Sequence, residues 1–526
     1  MKKLFFLLGY LVTGITIAQT NISNYTYYDA EPSIAVSPVN SQNLVAAWMK
    51  ATGLNQITIA TCFSNNGGTT WSSPSLMPHI SSTFTHADVS LAYTASGNPY
   101  ICYIDSKVAV DSGYVMVAGS TNNGQTWSAP VKVTSARESA DMPVDRPWIA
   151  VDNSSGPFSG RMYVTSKSYY AAPGPHYIWL KSSSDGGNSW SPIKRLDDSI
   201  PADQITNSMG AICVGPDGTI FVTYASYHPA LSAYARLICS RSVNGGTHFI
   251  PYPIANFAGN SAVSDTLYHA AYNIASDAAH PGNLIVSYID ARDGDPDVMA
   301  YHSSDTAHTW NASPVRVNDD AIGNGIGQDM CWAGFASNAY FVSWRDRRNG
   351  GTTSTSPFQI YWSMSQDNGA TFCPNKCLSG TTSSPSIDLR RGNDFMGMAT
   401  SPNSPDFWCD WSDMRTGNTE IFASGVTVPG GTCGTGIIEY LQHAIPVQTY
   451  PNPSHGQMML HLCLPEQGEI TISIFGLNGV LIQSFSKQLQ QGAQVIPLDF
   501  TKLPAGAYLL KAFSAAGTGQ IQFEKQ

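Results

Sequence analysis

Charge is scarce in this sequence. Asp, Glu, Lys and Arg make up only 12% of its 526 residues, and the formal net charge is −10. No run of Lys and Arg supplies the basic patch that a nucleic-acid partner requires, so no nucleic-acid partner is expected. Long apolar stretches are also missing. Beyond the N-terminus no segment is long and apolar enough to cross a membrane as a helix. Gly, Ser, Thr, Asn and aromatic residues are plentiful, which suits strands and turns and argues against long helices or coiled coils. The ten cysteines contain no C-x-x-C pair, so a zinc framework is not expected. Several, such as Cys102 in YICYID and Cys409 in FWCDW, read as small buried hydrophobes. Cys373 and Cys377 in CPNKC form the expected local disulfide.

The N-terminus has the pattern of a secretory signal. Lys2 and Lys3 precede an apolar stretch from Leu4 to Ile17, and Thr16-Ile17-Ala18 offers a small-residue cleavage site. Cleavage near Ala18 leaves Gln19 first. An uncleaved anchor is the alternative, but the apolar run is short for a span. No Cys follows the site, which disfavours a lipoprotein. An exported chain permits disulfides.

One eight-residue phrase returns six times: SNNGGTTW (64–71), STNNGQTW (120–127), SSDGGNSW (183–190), SVNGGTHF (242–249), SSDTAHTW (303–310) and SQDNGATF (365–372). The closing aromatics stand 56 to 63 residues apart, which marks an array of similar units. In each phrase the Asp or Asn is expected to bond its own backbone two residues on. Gly supplies a left-handed conformation, and the aromatic anchors the turn. The fifth copy has Ala307 in place of that Gly. A second repeat precedes each phrase: LVAAWMK, YICYIDSK, MYVTSKS, IFVTYAS, LIVSYIDAR, YFVSWRDRR and FWCDWSDMR. These seven β-branched and aromatic runs read as strands, each flanked by further strand candidates. One unit is therefore four antiparallel strands in about 60 residues, a size at which units bury their faces only against one another. The seventh unit lacks the phrase, and an N-terminal strand near Ile22–Tyr28 is expected to complete it.

The phrase resembles the Asp-box, or BNR repeat, of sialidase-like proteins. The resemblance implies an all-β chain whose residues 19–428 form a seven-bladed β-propeller, six blades being the alternative. Residues 429–444, beginning PGGTCGTG, read as a linker. Residues 445–526 alternate as a small antiparallel β-sandwich, with Asn478-Gly479 as a tight turn. This segment resembles the C-terminal sorting domain of the bacterial type IX secretion system. The resemblance rests on Tyr450-Pro451-Asn452-Pro453, Gly476-Leu477-Asn478-Gly479, Leu503-Pro504-Ala505-Gly506-Ala507-Tyr508 and Lys525. It implies dealings with the secretion machinery and a secreted or outer-membrane cell-surface location in a Gram-negative bacterium. An ordinary binding module is the alternative.

In four-stranded blades the boxes gather at one face. Function is then expected at the opposite mouth, where the innermost strands begin. Second-strand ends supply Asp105-x-Lys107, Asp290-x-Arg292, Asp346-x-Arg348 and Asp413-x-Arg415. Innermost-strand entries supply Asp29, Glu31, His86, Asp88, Asp141, Asp145, Arg146, His269, Gln328 and Asp329. Arg grips carboxylates with paired donors, and carboxylates serve as acid and base in glycoside cleavage. The catalytic candidates are Asp145, Arg146, Arg292, Arg348 and Arg415. The ligand-binding candidates are Glu31, Asp88, Asp290, Asp329, Asp346 and Asp413. The structural alternative for the repeated Asp-x-Arg is pairing between neighbouring blades.

Sialidases also carry a Phe/Tyr-Arg-Ile-Pro motif before the first box. It is absent here, since the first arginine is Arg137. Three functions stay open: a sialidase-like glycoside hydrolase, a non-catalytic binder of glycans or glycoproteins, and an adhesin-like surface component. In DARDGDPD (290–297), Asp293, Asp295 and Asp297 offer oxygen ligands for Ca²⁺. The loop lacks a bidentate Glu, so a solvated acidic turn is expected there, and no metal or cofactor is assigned.

Overall fold

The computed structural model describes residues 15–16, 19–24, 28–53, 56–139, 142–169, 177–196, 209–226, 236–257, 272–336, 338–353, 355–383, 395–402, 404, 406–428, 447–464, 467–476, 481–514 and 517–526. All regular structure among them is β, with no helix. The chain divides into two compact units, Met1–Gly436 and Ile437–Gln526.

The first unit repeats one sheet design. The first sheet runs Asp29–Val36, Leu44–Gly53, Gln56–Ser64 and Ser75–Leu76, each strand antiparallel to the last. Five more four-stranded sheets follow, with first strands Thr85–Tyr93, Asp145–Val151, Ala211–Val214, Tyr272–Ser276 and Gln328–Ala336. A seventh contains Gly397–Thr400, Asp406–Asp413 and Glu420–Thr427. Successive first strands lie against one another, and Gly397–Thr400 lies against Asp29–Val36, so the series closes on itself.

The second strands are the continuous apolar runs read from the sequence. Ile220–Ser226 and Leu284–Asp290 are buried throughout, as a strand covered on both faces requires. The core lies between consecutive sheets. Tyr163 and Leu180 of the third meet Val222 and Tyr224 of the fourth, and Trp48 of the first meets Trp408 and Ile421 of the seventh. Each such side chain contributes roughly 1.5–3 kcal/mol on burial.

The recurring phrase builds a closed hydrogen-bond ring at the turn after the third strand. In the first copy Ser64 Oγ accepts the Gly68 N–H at 2.9 Å, and Asn66 Oδ1 accepts the Thr70 N–H at 2.9 Å. The Asp or Asn therefore reaches four residues forward. The link across two residues belongs to the serine, whose Oγ accepts the Asn66 N–H at 3.3 Å. This corrects the expected bonding. Gly68, Gly124, Gly187, Gly246 and Gly369 have φ between 75° and 85°, and Ala307 adopts the same region at φ 64°.

The seventh sheet is completed by N-terminal residues at and before Ile22–Tyr28, since the Ile22 N–H bonds the Ile421 carbonyl and Tyr28 bridges Thr419. Thr20–Asn21 and Ile15–Thr16 pair with Glu420–Thr427. The rest of the expected signal segment, the expected linker at 429–444, Asp141, His269 and the expected turn at Asn478-Gly479 lie outside the described residues. Cys373 is in a disulfide and Cys377 is not, so the CPNKC pair does not form.

The second unit has two sheets. Val447–Tyr450, Gln457–Leu464 and Gly492–Asp499 form one. The other has the order Leu481–Leu489, Gly468–Gly476, Gly506–Ser514 and Gly517–Lys525. Both contribute to one buried core, which includes Leu460, Ile472, Ile496, Leu510 and Phe523.

Candidate functional site

Four first strands share a distortion near their start. Pairing slips between Ala30 and Ser33, Ala87 and Ser90, Asp145 and Trp148, and Asp329 and Trp332. A left-handed residue stands in each slip: Glu31 at φ 49°, Asp88 at 44°, Arg146 at 47° and Met330 at 51°. Pro32 and Pro147 follow two of them and remove a ladder donor, which suits a bulge. A non-glycine residue held this way costs about 1–2 kcal/mol. Strain repeated at matching positions marks a place to look for function.

Three of these residues meet. The Glu31 side chain hydrogen-bonds to Asp88, and the Arg146 backbone N–H donates to Asp88 Oδ2 at 2.9 Å. Burial, with Asp145 adding its charge, pushes the Asp88 carboxyl up to about 7, against the opposing pull of Arg146 and the Glu31 bond. Glu31 is buried and Asp88 half-buried. Two hydrogen-bonded carboxyls of this kind hold a proton near neutral pH, because both cannot ionise cheaply side by side. Asp145 also meets Lys167 at 3.4 Å, and burial lowers that ammonium from its usual value. Beside the cluster, Asp29 accepts from the Trp48 indole at 2.9 Å and lies 3.6 Å from Lys50. Burial pushes Asp29 up to about 6.

Aromatic rings adjoin the cluster. The Arg146 guanidinium lies 4.8 Å over Phe395. Trp148 stands 5.8 Å from Phe395 and 5.1 Å from Trp332. These rings come from the third and sixth sheets and from the approach to the seventh, so side chains meet across the closed series.

The other candidates have separate places. Asp290, Asp346 and Asp413 are buried, and each holds the arginine two residues on, at 2.6, 2.9 and 2.6 Å for Arg292, Arg348 and Arg415. Asp346 and Asp413 also accept the Trp344 and Trp411 indoles at 2.8 Å. The pairing is thus within one turn, not between neighbouring sheets as the structural alternative had it. Second contacts do reach outward: Arg348 meets Asp319 at 2.7 Å, and Arg415 donates to Gln19 at 2.7 Å. Among the described residues the three arginines share no partner. Asp329 is buried and clamped by Arg345 at 2.5 Å and Arg347 at 2.9 Å, which hold its carboxyl well below the usual range despite burial. Arg345 and Arg347 were not singled out by the sequence. The signal was available, since Arg345 and Arg347 alternate with Asp346 and Arg348 and so face the other side of the strand.

His79, His86 and Asp105 also converge. Their potential ligand atoms lie within 4.8 Å of one another. The His86 Nδ1, however, accepts the Ile59 N–H at 2.9 Å, so the ring proton sits on Nε2, 3.4 Å from Asp105 Oδ1. A neutral imidazole in that tautomer has no lone pair for a metal at Nε2. Burial lowers the His86 pKa and keeps the ring neutral. The set fits a structural network better than a metal centre. The expected solvated turn at 293–297 is also revised: Asp295 and Asp297 are buried.

At the far ends of the first strands lies a cavity of about 660 Å³, lined by residues including Val36, Tyr93, Val151, Val214, Ser276 and Thr400. Among the described residues of the lining none is charged. The Gly67 N–H bonds the Gln42 carbonyl, which ties the first box to this end. The charged cluster and the boxes therefore lie at opposite ends of the strands, as the sequence suggested, while the cavity is on the box side.

Residues 448–523 match the family model of the secretion system C-terminal sorting domain. That domain indicates a secreted or cell-surface protein. Comparison with curated proteins finds no match. Among solved structures, a Dyadobacter fermentans protein of unknown function is 16% identical, covering 67% of this chain and 97% of its own, with a TM-score of 0.42. The Penicillium chrysogenum alpha-L-arabinanase is 12% identical, covering 63% and 93%, with a TM-score of 0.42. The NanB sialidase of Streptococcus pneumoniae is 13% identical, covering 79% and 71%, with a TM-score of 0.40. Likeness at this level carries no argument about activity.

Proposed function

We propose that this is an exported protein whose first unit is a seven-bladed β-propeller acting on glycans, and whose second unit is a β-sandwich that directs export. The reaction we assign is glycoside hydrolysis at the entry end of the first strands. One observation carries it: Asp88, bonded to Glu31, has its carboxyl raised to about 7 beside Arg146 and Asp145. A carboxyl still partly protonated at neutral pH is suited to protonate a leaving-group oxygen, and a neighbouring carboxylate completes the acid and base. Asp88 is the acid, Asp145 the second carboxylate, and Arg146 the cationic contact for an anionic sugar such as a sialoside. Arg292, Arg348 and Arg415, each held by its own Asp, serve the turns that frame this end.

A second reading, non-catalytic glycan binding, is favoured by half-buried Trp148, whose ring, backed by buried Trp332 and Phe395, offers a face for a sugar to stack on. A panel of fluorogenic glycosides, sialosides included, separates the two. Hydrolysis is expected to fall as pH rises through about 7. Asp88→Asn is expected to lower it roughly 10²–10⁴-fold. No turnover on any glycoside, with glycan-array binding lost in Trp148→Ala, supports the second reading instead. Neither turnover nor binding overturns both.

A further inference from the structure

The turn between the second and third strands of the fifth sheet contains a charge that its surroundings leave unanswered. Asp295 is only 4% exposed, and among the described residues neither of its carboxylate oxygens has a hydrogen-bond partner. Asp297 is fully buried. Its Oδ1 accepts from Arg316 Nε at 2.8 Å and Asn318 Nδ2 at 2.6 Å, while its Oδ2 has no partner. The two carboxylates act on each other electrostatically. The turn is pinned where it lies. Gln328 donates its N–H to the Pro296 carbonyl at 2.8 Å, and Gly294 packs toward Gly323.

Counting the neighbouring charges leaves negative charge in excess. Asp297 and Asp320 share Arg316, at 2.7 and 3.2 Å, and Asp295 adds a third carboxylate. Three negative charges against one positive leave two. Arg348 reaches Asp320 only at 3.8 Å and is already engaged by Asp346 and Asp319. A buried carboxylate without donors costs several kcal/mol, and a water molecule supplies donors without offsetting the charge. A divalent cation supplies both. The donors are all oxygen, the set that suits a hard ion and not zinc or copper.

We propose that Asp295 and Asp297 hold a Ca²⁺ ion in the turn that leads into the fifth sheet's third strand. Asp293, partly exposed and with its carbonyl against Gly323, is outside the pair. Affinity is that of extracellular modules, with a Kd on the order of 10⁻⁴–10⁻³ M.

The full chain is stripped with chelator and dialysed against ⁴⁵Ca²⁺. One bound equivalent is expected in the wild type, and none in Asp295→Asn/Asp297→Asn, whose amides keep the shape and remove the charge. About 10 mM Ca²⁺ is expected to raise the thermal midpoint of the wild type by about 2–4 °C, with little effect from Mg²⁺. Absence of bound Ca²⁺ in the wild type overturns the proposal, whether or not the variant folds. Equal binding by a folded double variant overturns it as well. So does a wild type that loses stability as pH rises and is indifferent to Ca²⁺, because a proton would then hold the pair.

Discussion

Asp88 holds its proton more tightly in the folded chain than in the unfolded one. Its carboxyl goes from an ordinary value of 3.8 to about 7 on folding, chiefly through burial. The contribution to stability is complete below pH 3.8 and is lost as pH rises through about 7. Asp88→Asn cannot ionise, so its thermal midpoint should fall less than that of the wild type between pH 4 and 7. Parallel midpoint curves for the two proteins would refute the shift. The box glycines make a different point at the same scale. Gly187 sits at φ 85°, yet an added Cβ would find its nearest neighbour, Met162 Sδ, at 3.6 Å. Space is adequate, so only the backbone objects. Gly187→Ala should cost about 1–2 kcal/mol in denaturant unfolding. A loss above about 3 kcal/mol would point to a packing clash instead. Ala307 bears this cost already in the fifth box, where Ser303 and Asp305 keep the same bonds to Ala307 and Thr309.

A strand end is stabilised as a unit in the sixth and seventh sheets. Asp413 accepts the Trp411 indole at 2.8 Å, the Arg415 N–H at 2.9 Å and its guanidinium at 2.6 Å. Removing the carboxylate strands an indole donor and a guanidinium, whereas removing the guanidinium leaves Asp413 two donors. Asp413→Ala should therefore cost about 3 kcal/mol or more, and Arg415→Ala clearly less. Arg415→Ala should also speed hydrogen exchange at Ile22. Its N–H bonds the Ile421 carbonyl in the N-terminal addition that Gln19 anchors through Arg415. Unchanged exchange would remove Arg415 from that role. The strands themselves were legible, because runs such as IFVTYAS are continuous and their spacing repeats. The left-handed residues in the bulges were not. Nothing in EPS, DVS or RPW announces a left-handed residue, so the pairing of Glu31 with Asp88 had to come from the fold. The Asp-x-Arg motif was visible, but its partner choice was not, since a turn and a neighbouring sheet are equally near in sequence pattern.

At the scale of the molecule, each unit has its own means of stability. The first closes its series with residues 20–22 and buries its core between its own sheets. The second has a separate core from Met458 to Phe523. Division of labour follows: export information lies at residues 448–523, while the carboxyl cluster lies wholly in the first unit. Composition points to a boundary in the Gly-rich PGGTCGTG, which follows the repeat, and the two compact units part after Gly436. A disulfide partner was not readable, since spacing does not show which Cys meets Cys373. A chain ending at Gly436 should keep a cooperative thermal transition and a β-type circular dichroism spectrum. It should also keep whatever glycan activity the full chain has, because every residue assigned to that activity is retained. In a host with the matching secretion machinery it should remain inside the outer membrane, while the full chain reaches the surface or the medium. Surface delivery of the shortened chain would move the export signal into the first unit. Loss of its cooperative transition would mean that the last 90 residues complete the first unit's fold, and the two roles would then not be separable.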